Sequence, residues 1–241
     1  MFTLYSADFT GNPGNCSYPH KTVVMNTDNL REAVCHDYVC AEYKNHYRNG
    51  ENFISADCLP VDCDNDHSED PKDWVTPADV LEAFPGVSIA IHYSRFNNRE
   101  KNGKPARPKF HVLFPIDRMT DATLYSDMKK LVNSIFPYFD TKALDAARFF
   151  FGTQEPNVEL YPGRMNLTEF LNDDEFDAGL PGGHKKDAVI PEGSRNAVMS
   201  RFAGIVIKKY GDSEKAYQSF LEKAATCVPP LDNNELSTIW H

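Results

Sequence analysis

The sequence predicts an α+β domain built on mixed or antiparallel sheets, followed by a small helical module. Three observations carry this. Between residues 51 and 136, strand-like and helix-like patterns follow one another in the order βαββα, joined by hairpin-like loops. Residues 172–193, NDDEFDAGLPGGHKKDAVIPEG, are polar, contain Gly and Pro and show no period, as a linker does. Beyond them come three helical patterns, enough for a bundle of their own. The expected division is 1–171, a linker over 172–193, and 194–241.

The elements are justified in order. Residues 27–48 read as a helix, with Asp28 as its cap and Leu30, Val34, Tyr38 and Tyr43 roughly periodic. ENFISADCLPVDCDND (51–66) reads as a strand running into a polar loop. TPADVLEAF (76–84) is a short helix with Thr76 as N-cap and Pro77 at the first helical position. VSIAIHYSR (87–95) is a strand, and NNREKNGKPARP (97–108) a loop rich in Asn, Gly and Pro. In KFHVLFPI (109–116) the alternation puts Phe110, Val112 and Phe114 on one side and Lys109, His111 and Leu113 on the other. TDATLYSDMKKLVNSIF (120–136) is an amphipathic helix capped by Thr120 or Asp121, and AARFFFGT (146–153) a further strand. The last three helices span 194–209, 212–225 and 232–240.

An apolar fraction of 41% and a charged fraction of 25% describe an ordinary soluble globular chain. No apolar run reaches the roughly 20 residues of a membrane span, and MFTLYSADFTGNPG has no signal-peptide pattern. The expected location is cytoplasmic. The formal net charge of −10 argues against non-specific nucleic-acid binding, but the charge is unevenly spread. Arg95, Arg99, Lys101, Lys104, Arg107 and Lys109 form a basic segment interrupted by one acid, Glu100. Of the six cysteines, Cys35, Cys40, Cys58 and Cys63 offer a zinc reading. However, Cys35 and Cys40 lie five apart on the expected helix and do not share a face, so buried free thiols are the better expectation.

The chemistry concentrates in PVDCDNDHSE (60–69). Like charges this dense persist only if solvated or if a cation sits among them. On a strand, Asp62 and Asp64 point to one face with side chains about 7 Å apart, while Val61 and Cys63 enter the core. Two carboxylates so placed can hold hard divalent cations. A solvated acidic loop remains an open alternative. A calcium loop with Asp62, Asp64, Asp66 and Asp73 in EF-hand register lacks Gly at its sixth position and Glu at its twelfth. A lone strand histidine such as His111 is commonly structural. Here Arg107 and Lys109 alternate with it toward one side, a cradle for a polyphosphate. Asp140 follows an apolar-aromatic run and is a candidate third ligand. Asp145 is an alternative, and Arg148 opens the next strand.

Taken in order, Asp62-x-Asp64, Lys109-Phe110-His111 and Phe139-Asp140 followed by ARFFFGT resemble the archaeo-eukaryotic primase superfamily, in particular the primase-polymerases of plasmids, phages and mobile elements. Residues 193–239, with Gly193, Arg195-Asn196 and the stretch from Cys227 through Pro229, Pro230, Leu231, Glu235 and Leu236 to Ile239, resemble the helical module that follows such domains. The two resemblances cover the chain from about residue 50 onward. They imply a catalytic unit of two subdomains, one RRM-like, with metal-binding carboxylates in the cleft. By the same resemblance Asp62, Asp64 and Asp140 would bind Mg²⁺ or Mn²⁺ and be catalytic. His111 would contact the phosphates of an incoming NTP or dNTP. Added to this are Lys109, Arg107 and Arg148 as nucleotide contacts and Arg95, Arg99, Lys101 and Lys104 as contacts to single-stranded DNA template. A replicative helicase, as a further domain or a separate protein, is the expected partner.

The expected function is thus template-directed nucleotidyl transfer, as in a DNA primase or primase-polymerase. Two alternatives stay open: a non-catalytic replication-initiation module that binds DNA and recruits a helicase, and a metal-dependent nuclease. For the nuclease, a His-hydrophobic-His pair or an added Lys near the acids is expected, and neither His92 nor His111 has such a partner in sequence.

Overall fold

The structure, a computed structural model, describes residues 1–100, 103–172, 190–191, 195–210 and 213–240. It divides into two compact units, Met1–Asn133 with Tyr138–Phe170, and Ser134–Pro137 with Leu171–His241.

The first unit has an α+β fold on two antiparallel sheets. Strands β1 (Phe2–Ser6), β2 (His20–Val24) and β3 (Tyr38–Val39) belong to a four-stranded sheet completed by β8 (Phe149–Phe150), in the order β2-β1-β3-β8. The larger sheet contains β4 (Ala41–Tyr43), β5 (Phe53–Cys63), β6 (Ile89–Tyr93), β7 (Phe110–Met119) and β9 (Val158–Tyr161), in the order β4-β5-β7-β6-β9. Helices α1 (Thr27–Val34), α2 (Pro77–Ala83), α3 (Ala122–Ile135) and α4 (Leu167–Asn172) accompany them. The βαββα order is that of β5, α2, β6, β7 and α3.

Strand β7 is central in the larger sheet and buried from Phe110 to Ile116. Its alternation sorts the two faces. Leu113 joins a core of Phe2, Leu4, Val24, Leu30, Tyr38, Cys58, Ala90 and Phe150. Phe114, on the opposite face, meets Phe84 at 4.9 Å between ring centroids, and Phe84 in turn packs on Phe139 and Phe170. Burial on both faces explains the near-continuous apolar run in a strand that an antiparallel sheet would otherwise leave half polar.

The helix expected over 27–48 ends at Val34. It begins with Asn26, whose side chain accepts from the Asn29 amide. Residues 38–43 are strands instead, and the reason is long-range. The buried carboxylate of Asp37 accepts from the amides of Gly11, Asn12 and Gly152 at 2.8–3.0 Å, and its own backbone bonds Ala7 and Phe9. These partners lie far away in sequence and override local helical periodicity. The other helix starts follow the sequence closely. Thr76 and Asp79 form a capping box, and Asp121 accepts from the amides of Thr123 and Leu124.

The second unit contains α5 (Arg195–Tyr210), α6 (Glu214–Ala224) and α7 (Asn233–Trp240) around a core that includes Met199, Ala203, Val206, Ala216, Phe220 and Cys227. Arg195 donates to the carbonyls of Pro229 and Pro230 and pairs with Glu235 at 3.3 Å, tying α5 to the approach and start of α7. Most of the expected linker lies outside the described residues. Of its described residues, Asn172 ends α4, and Ile190–Pro191 form a strand β10 paired in parallel with β11 (Cys227–Val228). No helix among the described residues is long and apolar enough to cross a membrane.

Candidate metal centre and its basic surroundings

Three carboxylates converge. Asp62, Asp64 and Asp140 each offer an oxygen, and these oxygens all lie within 4.8 Å of one another. Asp62 is the penultimate residue of β5 and directly faces His111 across the β5–β7 ladder. Asp64 lies one residue past the strand end. Asp140 arrives from a remote segment, and its amide donates to the Asp62 carbonyl at 2.7 Å. Its carboxylate also accepts from the Lys142 amide at 2.9 Å, capping a short 3₁₀ turn. Asp145 donates its carboxylate to a different task, accepting from Ala147 N–H. No other cluster of three potential His, Cys, Asp or Glu ligands occurs among the described residues, and all six cysteines are free.

Asp62 is buried, and its Oδ1 has no hydrogen-bond partner. Burial foremost, then the neighbouring Asp64, push its carboxyl up to about 7; Arg148 opposes the rise and Asp140 adds to it. His111 Nε2 lies 3.7 Å from that Oδ1. Burial holds the imidazole down at about 4, so at neutral pH the pair is a neutral ring beside a carboxyl, not an ion pair. A buried, unpartnered acceptor flanked by two further carboxylates is a donor set suited to a hard divalent cation.

The basic segment divides in two. Lys104, Arg107 and Lys109 turn toward the acidic loop. Lys109 Nζ reaches Asp64 Oδ1 at 3.0 Å, the Asp64 carbonyl at 2.9 Å and Asp66 at 3.4 Å. Arg107, 0% exposed, donates to the carbonyls of Asn65 and Ser68, pairs with Glu69 at 2.8 Å and lies over the Trp74 ring. Lys104 pairs with Asp66 at 3.2 Å. Arg107 is therefore a strut for residues 64–75 and does not present its guanidinium to a polyphosphate, contrary to the sequence expectation. Lys109 is likewise engaged, but beside the triad. The calcium-loop register fails for the same reason: Asp66 is neutralised by these cations and Asp73 binds Ser68. The crowding of acids at 60–69 is thus relieved partly by protein cations and partly left open at the triad.

Arg95 and Arg99 turn the other way. They line a cleft of about 700 Å³ with Thr10, Tyr93, Asn97 and Thr153. The Arg95 guanidinium lies 4.1 Å from the centroid of the Phe151 ring. Arg148 lies over Phe150, with its Nε buried and unpartnered. Lys101 falls outside the described residues.

Sequence reasoning missed Tyr38, His92, Thr153 and Asn65. Tyr38 was hidden by the helical reading of its segment, and its hydroxyl meets both His92 and His111. Asn65 has a left-handed backbone, φ 52°, and its side chain bonds Val75 and the Pro108 carbonyl, turning the chain directly after Asp64. Asn tolerates that conformation better than most residues, and its place right after the strand was the available signal.

Among solved structures, the chain is similar to the AEP domain of the cyanophage S-2L primase-polymerase. The identity is 13% and the TM-score 0.39, over 67% of this chain and 81% of that one. No family model matches, and neither does any curated protein.

Proposed function

We propose that the chain is a template-directed nucleotidyltransferase of the primase-polymerase class, acting in the replication of a phage, plasmid or mobile element. The observation that carries this reading is the convergence of Asp62, Asp64 and Asp140 from two remote segments onto one site, with a buried Asp62 oxygen left without a donor. The order of these residues and His111 in the sequence resembles that class.

In this reading Asp62, Asp64 and Asp140 hold Mg²⁺ or Mn²⁺, which when bound neutralises charge developing around the transferred phosphorus. The protein's own groups supply position. Lys109 steadies Asp64 through its Oδ1. The cap at Asp140 fixes that carboxylate. His111, neutral at pH 7, donates Nε2–H to a phosphate oxygen, and Arg148 adds a nearby cation. Arg95 and Arg99 contact single-stranded template from the cleft. No side chain is required as a covalent nucleophile: a 3′-hydroxyl attacks the α-phosphorus and pyrophosphate leaves, with alignment contributing most of the acceleration. Residues 1–171 form the catalytic part and 194–241 a module for a helicase partner.

The test is synthesis on single-stranded DNA with NTPs or dNTPs and Mn²⁺. Dinucleotide formation or primer extension is expected, and is lost in Asp62→Ala/Asp64→Ala and in Asp140→Ala. Template binding without synthesis would favour the replication-initiation module. Template cleavage would favour the nuclease. Either result overturns the proposal, as does synthesis undiminished in the variants.

A further inference from the structure

A chain of hydrogen bonds enters the centre from behind. Tyr38 stands on β3 in the smaller sheet, while His92 and His111 are directly paired on β6 and β7 of the larger one. The Tyr38 hydroxyl lies 3.0 Å from His92 Nδ1 and 3.2 Å from His111 Nδ1. His92 Nε2 lies 3.1 Å from Thr153 Oγ1 at the wall of the Arg95 cleft. At the other end His111 Nε2 faces Asp62 Oδ1 at 3.7 Å. The Tyr38 ring stacks on Phe150, its partner across the β3–β8 pair, and Phe150 also packs on His111. Tyr38 and His92 are essentially excluded from solvent, and His111 nearly so.

One hydroxyl carries one proton. It can donate to only one of the two Nδ1 atoms and must accept from the other. The two imidazoles are therefore held in opposite tautomers. Burial keeps both rings neutral and the phenol protonated, so no charged form relaxes this condition near neutral pH. The end of the chain selects the direction. When Asp62 is ionised its Oδ1 is a buried acceptor, and the ring nitrogen that faces it is His111 Nε2. With the proton on Nε2, His111 Nδ1 is a lone pair and accepts Tyr38 O–H. Tyr38 then accepts His92 Nδ1–H, and His92 Nε2 accepts Thr153 O–H. The reverse order would set an Nε2 lone pair against the ionised Asp62 oxygen.

We infer that Tyr38, backed by His92 and Thr153, is a positioning residue that locks His111 in the tautomer presenting Nε2–H to the carboxylate centre and to a phosphate bound there. The role toward phosphate rests on the proposed function; the tautomer does not.

Two measurements keep these apart. In protein with ¹⁵N-labelled histidine, signals are assigned by their loss in His92→Gln and His111→Gln. At pH 8, with Asp62 ionised, His111 is expected protonated on Nε2 and His92 on Nδ1, and Tyr38→Phe should mix the tautomers of both. Wild-type His111 protonated on Nδ1, or both rings in the same tautomer, overturns the inference whether or not the protein makes nucleic acid, and this readout survives if Tyr38→Phe fails to fold. In nucleotide transfer, Tyr38→Phe should raise KM for nucleotide about tenfold, with Mn²⁺ affinity unchanged within about twofold. In the His111→Gln background, where a fixed amide N–H replaces the ring, the same change should add little. Full additivity would mark Tyr38 as merely structural and overturn the positioning role.

Discussion

Replacing Asp62 by asparagine should stabilise the metal-free protein at pH 8 while abolishing its response to divalent cations. Burial foremost, then Asp64, raise this carboxyl from 3.8 to about 7. At about 1.36 kcal/mol per pH unit, a rise of that size amounts to ~4 kcal/mol. The folded value lies above the unfolded one, so the folded protein binds the extra proton between them. The group's contribution is most favourable below about pH 4 and declines as pH rises, with the full penalty reached above about pH 7. Asparagine removes that penalty but leaves a buried amide without good partners, at a cost of ~1–3 kcal/mol. The net gain at pH 8 is then ~1–3 kcal/mol, and between pH 8 and pH 5 it should shrink by ~2–3 kcal/mol. Urea unfolding of both proteins in chelator at the two pH values measures it. Adding Mn²⁺ at 100 times its dissociation constant should return ~2.7 kcal/mol to the wild type and nothing to the variant. A variant less stable than wild type at pH 8 in chelator, or a difference that does not move with pH, would refute the account of Asp62 as an electrostatically costly ligand.

Arg107→Ala should cost ~2–4 kcal/mol by leaving the Asn65 and Ser68 carbonyls without their donor, whereas Lys104→Ala, at an exposed pair, should cost under ~1 kcal/mol; thermal unfolding separates the two. Gly152→Ala would place a Cβ 2.1 Å from the His36 carbonyl oxygen, so loss of at least ~3 kcal/mol or failure to fold is expected on purification and calorimetry. For single-stranded template, the Arg95→Ala/Arg99→Ala variant should bind more weakly and lower the log–log salt slope by about 1.4, read by fluorescence anisotropy across a salt series; an unchanged slope removes the cleft from the template path.

The sequence was most informative where local signals and tertiary packing agree. Thr76-Pro77 and Asp121 mark helix starts through short-range bonds, and the alternation of 109–116 survives because both faces of β7 are covered by apolar layers. The pair Asp62 and Asp64 was legible from the apolar lead-in of β5. The site's second half was less so. The burial of Arg107 could not be read from charge, because it depends on carbonyls that turn inward only once Asn65 bends the chain. Tyr38 was assigned to a helix because Asp37, its neighbour, spends its carboxylate on Gly11, Asn12 and Gly152, contacts that no local window contains.

The amide of residue 140 adds one more rung at the open end of β5, bonded to the carbonyl of residue 62. Main chain, not side chain, thus sets how close the incoming segment comes. Because the bond runs between backbone atoms, Asp140→Ala would keep the rung and lose only the carboxylate, whereas Asp140→Pro would lose both at once.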